Sequence, residues 1–234
     1  VAEMVKLEWS HRYCIDQLNR AKQVFSYCGS EELISHTVHD RLRLVDAKAV
    51  EGARKPAPIE PIDNTTINAA IAKCNETVAA MIQFERYTAC RPDEVCRLRP
   101  CDIQDKSGVV WICQLLEHKT KHHGKKRFIA IGPRAQKVLL SLGPVVPGIN
   151  FFVNRRGKPF NTDTYRRAIH RACDKAEIER WSPNRLRHSA ATEIRAAFGL
   201  EAAGAILGHS NLATTQVYAE ADRARMIEAA RRLG

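Results

Sequence analysis

Residues 182–218 constrain this chain more tightly than any other stretch, because they fix where three consecutive helices must start and stop. They read Ser182-Pro183-Asn184-Arg185-Leu186-Arg187-His188, then Leu207-Gly208-His209-Ser210, then Thr214-Thr215-Gln216-Val217-Tyr218. Proline lacks an amide proton, so Pro183 suits a first helical position, with Ser182 as the cap. Asn184 and Arg187, three residues apart, then share one face near the positive end of that helix. The spacing of Leu200, Ala203 and Leu207 predicts a second helix, which Gly208 ends, and Ser210 caps a third that carries Tyr218. His209 falls in the turn between helices. An arginine, a histidine and a phenol in one compact segment suit a phosphate.

The rest of the chain favours a polyanionic partner. Lys plus Arg exceed Asp plus Glu by 37 to 26, a net charge of +11, and such an excess binds polyanions by releasing their counterions. With 234 residues, 44% of them hydrophobic, there is enough apolar surface for one or two real cores. No run of eighteen apolar residues and no signal-peptide pattern occurs, which predicts an intracellular chain without a membrane partner. Eight cysteines in a chain of this size predict reduced thiols rather than a disulfide framework. Cys90, Cys96, Cys101 and Cys113, followed by His118, His122 and His123, invite a zinc reading, but no Cys-x-x-Cys pair occurs, and buried or incidental cysteines are the preferred reading.

Residues 4–28 repeat apolar side chains at near-helical period and predict one helix ended at Cys28-Gly29, followed by a shorter helix from about Thr37 to Ala47. Pro56, Pro58 and Pro61 predict an extended, proline-rich linker over 51–61 and hence a domain boundary. Beyond it, Asp63-Asn-Thr-Thr opens a helix and Glu76 to Tyr87 forms another. In Thr88-Ala89-Cys90-Arg91-Pro92-Asp93-Glu94, Pro92 and the two acids suit a first helical turn, which places Arg91 at a helix N-terminus. Val109–Leu116 and Arg127–Ile131 predict two strands joined by a basic loop holding Lys119, Lys121, Lys125 and Lys126. Pro133–Leu142 predicts a helix, Phe151–Val153 a short buried run, Thr162–Ala176 a basic helix with Arg166, Arg167 and Arg171, and Asp222–Leu233 a last helix with Ala224, Ile227 and Ala230 apolar.

The order Arg91, Lys119, Asn184-x-x-Arg187, Leu207-Gly208-His209 and Tyr218 nine residues later resembles the tyrosine recombinase or phage integrase family over roughly residues 62–234. That family's signature has Thr-Gly-x-Arg-x-x-Glu-x-x-x-Leu around the first arginine, matched here at Arg91, Glu94 and Leu98. The resemblance implies an α+β, mostly α-helical catalytic domain (62–234) with a small β-sheet or hairpin. Residues 1–50 would be the C-terminal part of a helical core-binding domain that clamps DNA. It implies Arg91, Lys119, Asn184, Arg187, His209 and Tyr218 as catalytic residues, with Lys119 the best match among the loop lysines. It further implies site-specific strand exchange through a 3′-phosphotyrosyl link without metal, ATP or other cofactor, on double-stranded DNA in the bacterial nucleoid or a mobile element. The partners implied are sister copies in a homotetramer joined through the C-terminal helix, and accessory proteins that bend DNA.

Asn184 departs from the histidine usual in that family. Asparagine can donate a hydrogen bond to a phosphate oxygen but exchanges no proton near neutrality. This leaves a second reading, a DNA-binding relative with weakened catalysis, and a third, a type IB topoisomerase with similar chemistry. His188 is read as structural, buried against its helix.

Overall fold

The computed structural model describes residues 1–45, 50–55, 60–115, 127–144, 146–208 and 226–232. The chain divides into two compact units, Val1–Ile59 and Glu60–Gly234. In the first, the single helix expected over 4–28 is two, α1 (Ala2–Lys6) and α2 (His11–Ser30). Glu8 turns left-handed at φ 55°, and Ser10 restarts the helix by accepting the Tyr13 amide proton on its hydroxyl. A serine cap thus overrides the apolar period that runs through it. Helix α3 (His36–Arg43) ends before the expected Ala47, which lies outside the described residues. The small core of this unit is Cys14, Val50 and Ala53, packed by Val5, Trp9 and Ile15.

The second unit is built around α5 (Glu76–Thr88), whose Val78, Met81, Ile82, Phe84 and Thr88 are all buried. Asn75 caps its start, accepting the Val78 amide proton at 2.9 Å. Helix α4 (Asn64–Lys73) is capped in the same way by Asp63, which accepts from Thr66 at 2.8 Å. Around α5 pack α6 (Pro92–Arg97), α7 (Pro133–Ser141), α8 (Thr162–Lys175) and α9 (Pro183–Leu207). Helix α9 is two helical arms joined at Gly199, where φ is 84° and ψ 176°, so the second helix expected from Leu200 is present. Gly208, with φ 62°, ends it.

Three antiparallel strands form the sheet in the order β1 (Ile103–Asp105), β2 (Trp111–Leu115), β3 (Arg127–Ile131). Trp111 pairs with Ile131 and Leu115 with Arg127. Both faces of the β2–β3 ribbon are covered. Cys113, Ile129 and Ile131 enter the main core with Phe84 and Leu98. Ile112 and Ala130 enter a second cluster with Ile194, Ala203 and Ile206. Double burial explains why these strands read as continuous apolar runs rather than alternating ones. Strand β1, three residues long, was not expected. The sequence expectation of a mostly helical α+β domain with a small sheet holds.

Residues 226–232 are helical, and Met226, Ala229 and Ala230 are buried in the second cluster, on the chain's own domain. Ile227, expected on the buried face, is only half-buried, and Ala224 lies outside the described residues. All eight cysteines are free thiols; Cys90, Cys96 and Cys113 are buried and Cys101 is exposed. Among the described residues no helix is long and apolar enough to cross a membrane.

Candidate active site

The site begins where α5 stops. Ala89 adopts the left-handed conformation, φ 52° and ψ 21°, and its amide proton closes the last turn on the Glu85 carbonyl. The chain then reverses into Arg91-Pro92, and α6 starts at once. Glu94, in the first turn of α6, accepts the Arg91 amide proton on Oε2 at 2.7 Å and Arg91 Nη1 on Oε1 at 2.9 Å. One carboxylate therefore caps the helix and aims the arginine.

The same carboxylate receives a second arginine from β3. Arg127 donates Nε to Glu94 Oε1 at 2.9 Å and Nη2 to Oε2 at 3.1 Å, a two-pronged pair in which both side chains are buried. Burial alone would raise the Glu94 carboxyl, but the Arg127 charge and hydrogen bonds, aided by Arg91, outweigh it and hold the group down at about 2. Glu94 is therefore ionised at any pH at which the protein is of interest.

Arg187 completes the group. It rises from the first arm of α9 and donates Nη1 to the Ala89 carbonyl at 2.7 Å and Nη2 to the Leu207 carbonyl at 2.6 Å. Arg127 Nη1 reaches the adjacent Ile206 carbonyl at 3.1 Å. Carbonyls in the last turn of a helix lack intrahelical partners and carry the negative end of its dipole. Two guanidinium groups thus cap the second arm of α9 directly before Gly208 and His209. A Cβ on Gly208 would stand 2.5 Å from Arg127 Nη1, so this glycine is required both by its positive φ and by the close approach of the arginine. Burial, followed by repulsion from Arg127 and Arg91, lowers the Arg187 guanidinium to about 10, still protonated at neutral pH.

Beneath the arginines lie groups held neutral. Burial pushes the Glu85 carboxyl and the Cys90 thiol well up. The buried Tyr165 hydroxyl donates to Glu85 Oε2 at 3.0 Å. Among the described residues, three guanidinium groups against the single Glu94 carboxylate leave two net positive charges beside buried groups, where a charge interaction is worth more than in water.

A model of the phage integrase family matches residues 60–225. The chain belongs to that family. It is 32% identical over 151 residues to tyrosine recombinase XerC of Halalkalibacterium halodurans, covering 58% of this chain and 47% of that protein. To XerC of Corynebacterium glutamicum it is 28% identical over 157 residues, covering 64% and 49%. The chain spans about half the length of these curated relatives. Among solved structures it resembles in fold the Tn1549 transposon integrase in complex with circular intermediate DNA (TM-score 0.67, 16% identity, 95% of this chain and 81% of that one). It also resembles XerA recombinase (TM-score 0.52, 22% identity, 93% and 89%).

Of the six residues expected from the phage integrase signature, Arg91 and Arg187 are brought together. Asn184 stands exposed in the first turn of α9, one turn before Arg187. Lys119, His209 and Tyr218 lie outside the described residues, as do the other loop lysines. Ser182 occupies the cap position without a side-chain cap bond. His188, expected to be buried, is exposed, because the buried stripe of this arm runs through Leu186, Ser189, Ala190 and Ile194 instead. Arg127 was not singled out from the sequence. It follows Lys125-Lys126 and reads as one more loop cation; the available signal was its position opening a strand whose other residues are all apolar.

Proposed function

We propose that this chain is the catalytic part of a site-specific tyrosine recombinase. It would cleave and rejoin double-stranded DNA through a 3′-phosphotyrosyl intermediate. The carrying observation is the convergence of Arg91 and Arg187, tied through Glu94 and Arg127 to the helix end that precedes His209. The relatives named as tyrosine recombinases, and the neighbouring integrase solved with DNA, support the same reading.

The chemistry follows from charge. A phosphodiester carries one negative charge and its pentavalent transition state two. A site with two net positive charges favours the second over the first, and that difference is what accelerates a reaction. Arg91 and Arg187 would hold the non-bridging oxygens through the N–H groups not engaged with Glu94 and the two carbonyls. Tyr218 Oη would give up its proton to solvent water and form the new bond to phosphorus, and the bond to the 5′ oxygen would break, with Lys119 delivering a proton to that leaving oxygen. Asn184 and His209 would hydrogen-bond the phosphate. A 5′-hydroxyl from another strand would reverse the step, so the reaction needs no external energy source. Residues 1–50 would serve as the C-terminal part of a DNA-clamping domain, 51–61 as its linker and 62–234 as the catalytic domain. Assembly would be a homotetramer on two duplexes in the nucleoid or on mobile-element DNA, with DNA-bending accessory proteins.

The decisive experiment is trapping on a nicked half-site duplex. A covalent protein–DNA adduct is expected, abolished in Tyr218→Phe with DNA binding retained. Adducts that persist in that variant would move the nucleophile elsewhere. The exposed Asn184 in place of histidine favours one second reading, a DNA-binding relative of weak catalysis, which predicts binding without adduct in the unmodified chain.

A further inference from the structure

A second group of cations lies at the other end of α5. Lys73 from the end of α4, Arg171 and Lys175 from the end of α8, and Arg155 from the loop before α8 line one recess of about 190 Å³, with Cys74 and Asn75 between them. No Asp or Glu lines it. Among the described residues none of the four cations is paired with a carboxylate. Asp174, the acid nearest in sequence on α8, is engaged by Arg180 at 2.7 Å. The arginines around Glu94, by contrast, have a carboxylate and carbonyls among them.

We infer that this recess is a second anion site, one that takes a phosphate group. Four like charges gathered without a counter-charge repel one another. An anion relieves that repulsion at every pair at once. The recess also faces the start of α5. There Asn75 uses its side-chain oxygen on the Val78 amide, leaving its side-chain amide N–H groups as neutral donors beside the cations. Two guanidinium groups supply paired donors suited to phosphate oxygens, and the two ammonium groups supply unoriented charge. The volume of about 190 Å³ is ample for a phosphate.

The site is separate from the arginines of the active centre. Helix α5 has 13 residues, about 20 Å at 1.5 Å per residue, and Arg91 lies past its far end. A duplex held at Arg91 and running along α5 would reach the recess about six base pairs away at 3.4 Å per pair. The phosphate is therefore supplied by a DNA flank or by a small free phosphate, and one pair of measurements separates the two sources.

The experiment compares the full chain with an Arg171→Gln/Lys175→Gln variant, neither residue belonging to the proposed catalytic set. The first measurement is duplex affinity as a function of salt. A DNA phosphate in the recess predicts that the slope of log affinity against log salt shrinks by about one, equivalent to roughly fourfold less loss between 50 and 200 mM. The second is the Tm gain from inorganic phosphate over chloride of equal ionic strength. A free phosphate predicts that the gain attributable to the recess disappears in the double variant while it persists in Arg187→Ala. If slope and phosphate-dependent Tm both match the unmodified chain, the recess is a solvated basic face and the inference is overturned. Adduct formation on the nicked half-site is expected to be unchanged in the double variant, so loss of adduct in the unmodified chain bears on the proposed function alone.

Discussion

The two ends of α5 hold cations in opposite ways. At its C-terminal end Arg91, Arg127 and Arg187 are wired to Glu94 and to the carbonyls of Ala89, Ile206 and Leu207. At its N-terminal end Lys73, Arg155, Arg171 and Lys175 share a recess with no acid in it. The first group is partly desolvated and fixed by folding; the second stays exposed and is free to adjust. The contrast separates two uses of positive charge. Chemistry on a phosphate needs charge that is already in place before the transition state forms, whereas holding a phosphate needs only charge that has nowhere better to go.

Five substitutions test that contrast. The largest effect is expected from Arg127→Met, which leaves Glu94 buried without its strongest partner. Removing one member of a buried pair costs about 3–5 kcal/mol, and a Tm loss of many degrees with reduced adduct formation is expected. A Tm unchanged within 1 °C, measured by calorimetry, would mean the pair is not buried as described. Next comes the pH response. Glu94 is held below its unfolded value, so its stabilisation is fully present above about pH 4.5 and is lost as pH falls toward about 2, a contribution of about 3 kcal/mol. Denaturant titrations across that window are expected to show the loss in the unmodified chain and a flatter profile in Glu94→Gln. The raised Glu85 carboxyl works in the opposite sense, losing stability as pH rises above about 4.5. Glu85→Gln therefore isolates the Glu94 contribution.

Ala89→Gly is expected to stabilise by about 1 kcal/mol, because the left-handed backbone at φ 52° strains any residue with a Cβ. A lower Tm would show instead that the unfolded chain's added freedom outweighs the strain. The smallest effect belongs to the far recess. Arg171→Met is expected to change stability by no more than about 0.5 kcal/mol, in contrast to Arg127→Met, although both remove one guanidinium from a group of cations.

How much of this was legible in the sequence depends on the range of the interaction. Asp63, Pro92, Pro133 and Pro183 marked helix starts because caps and first turns are local chemistry, and Gly208 marked a stop for the same reason. Strand β1 was not visible because three residues carry no period. Glu8 split a helix that the apolar spacing alone would continue. Arg91 and Arg187 could be paired only by resemblance to the family, and their partner Arg127 only by coordinates, since its place at the head of an apolar strand was a signal that names no partner for the guanidinium. The recess is further still from the sequence. Its cations lie at positions 73, 155, 171 and 175, and only the packing of α8 beside α4 gathers them.

The Gly199 break turns α9 back so that Arg187, on one arm, clasps a carbonyl twenty positions later, at the tip of the other. The clasp engages one N–H on each terminal nitrogen, and among the described residues no other partner takes the remaining N–H groups of the same rigid plane. An arriving anion can therefore be grasped without the arginine letting go. The strap that ends at Gly208 is fastened from across the break, and a lysine at position 187, with one nitrogen in place of three, could not hold both carbonyls in the same planar geometry.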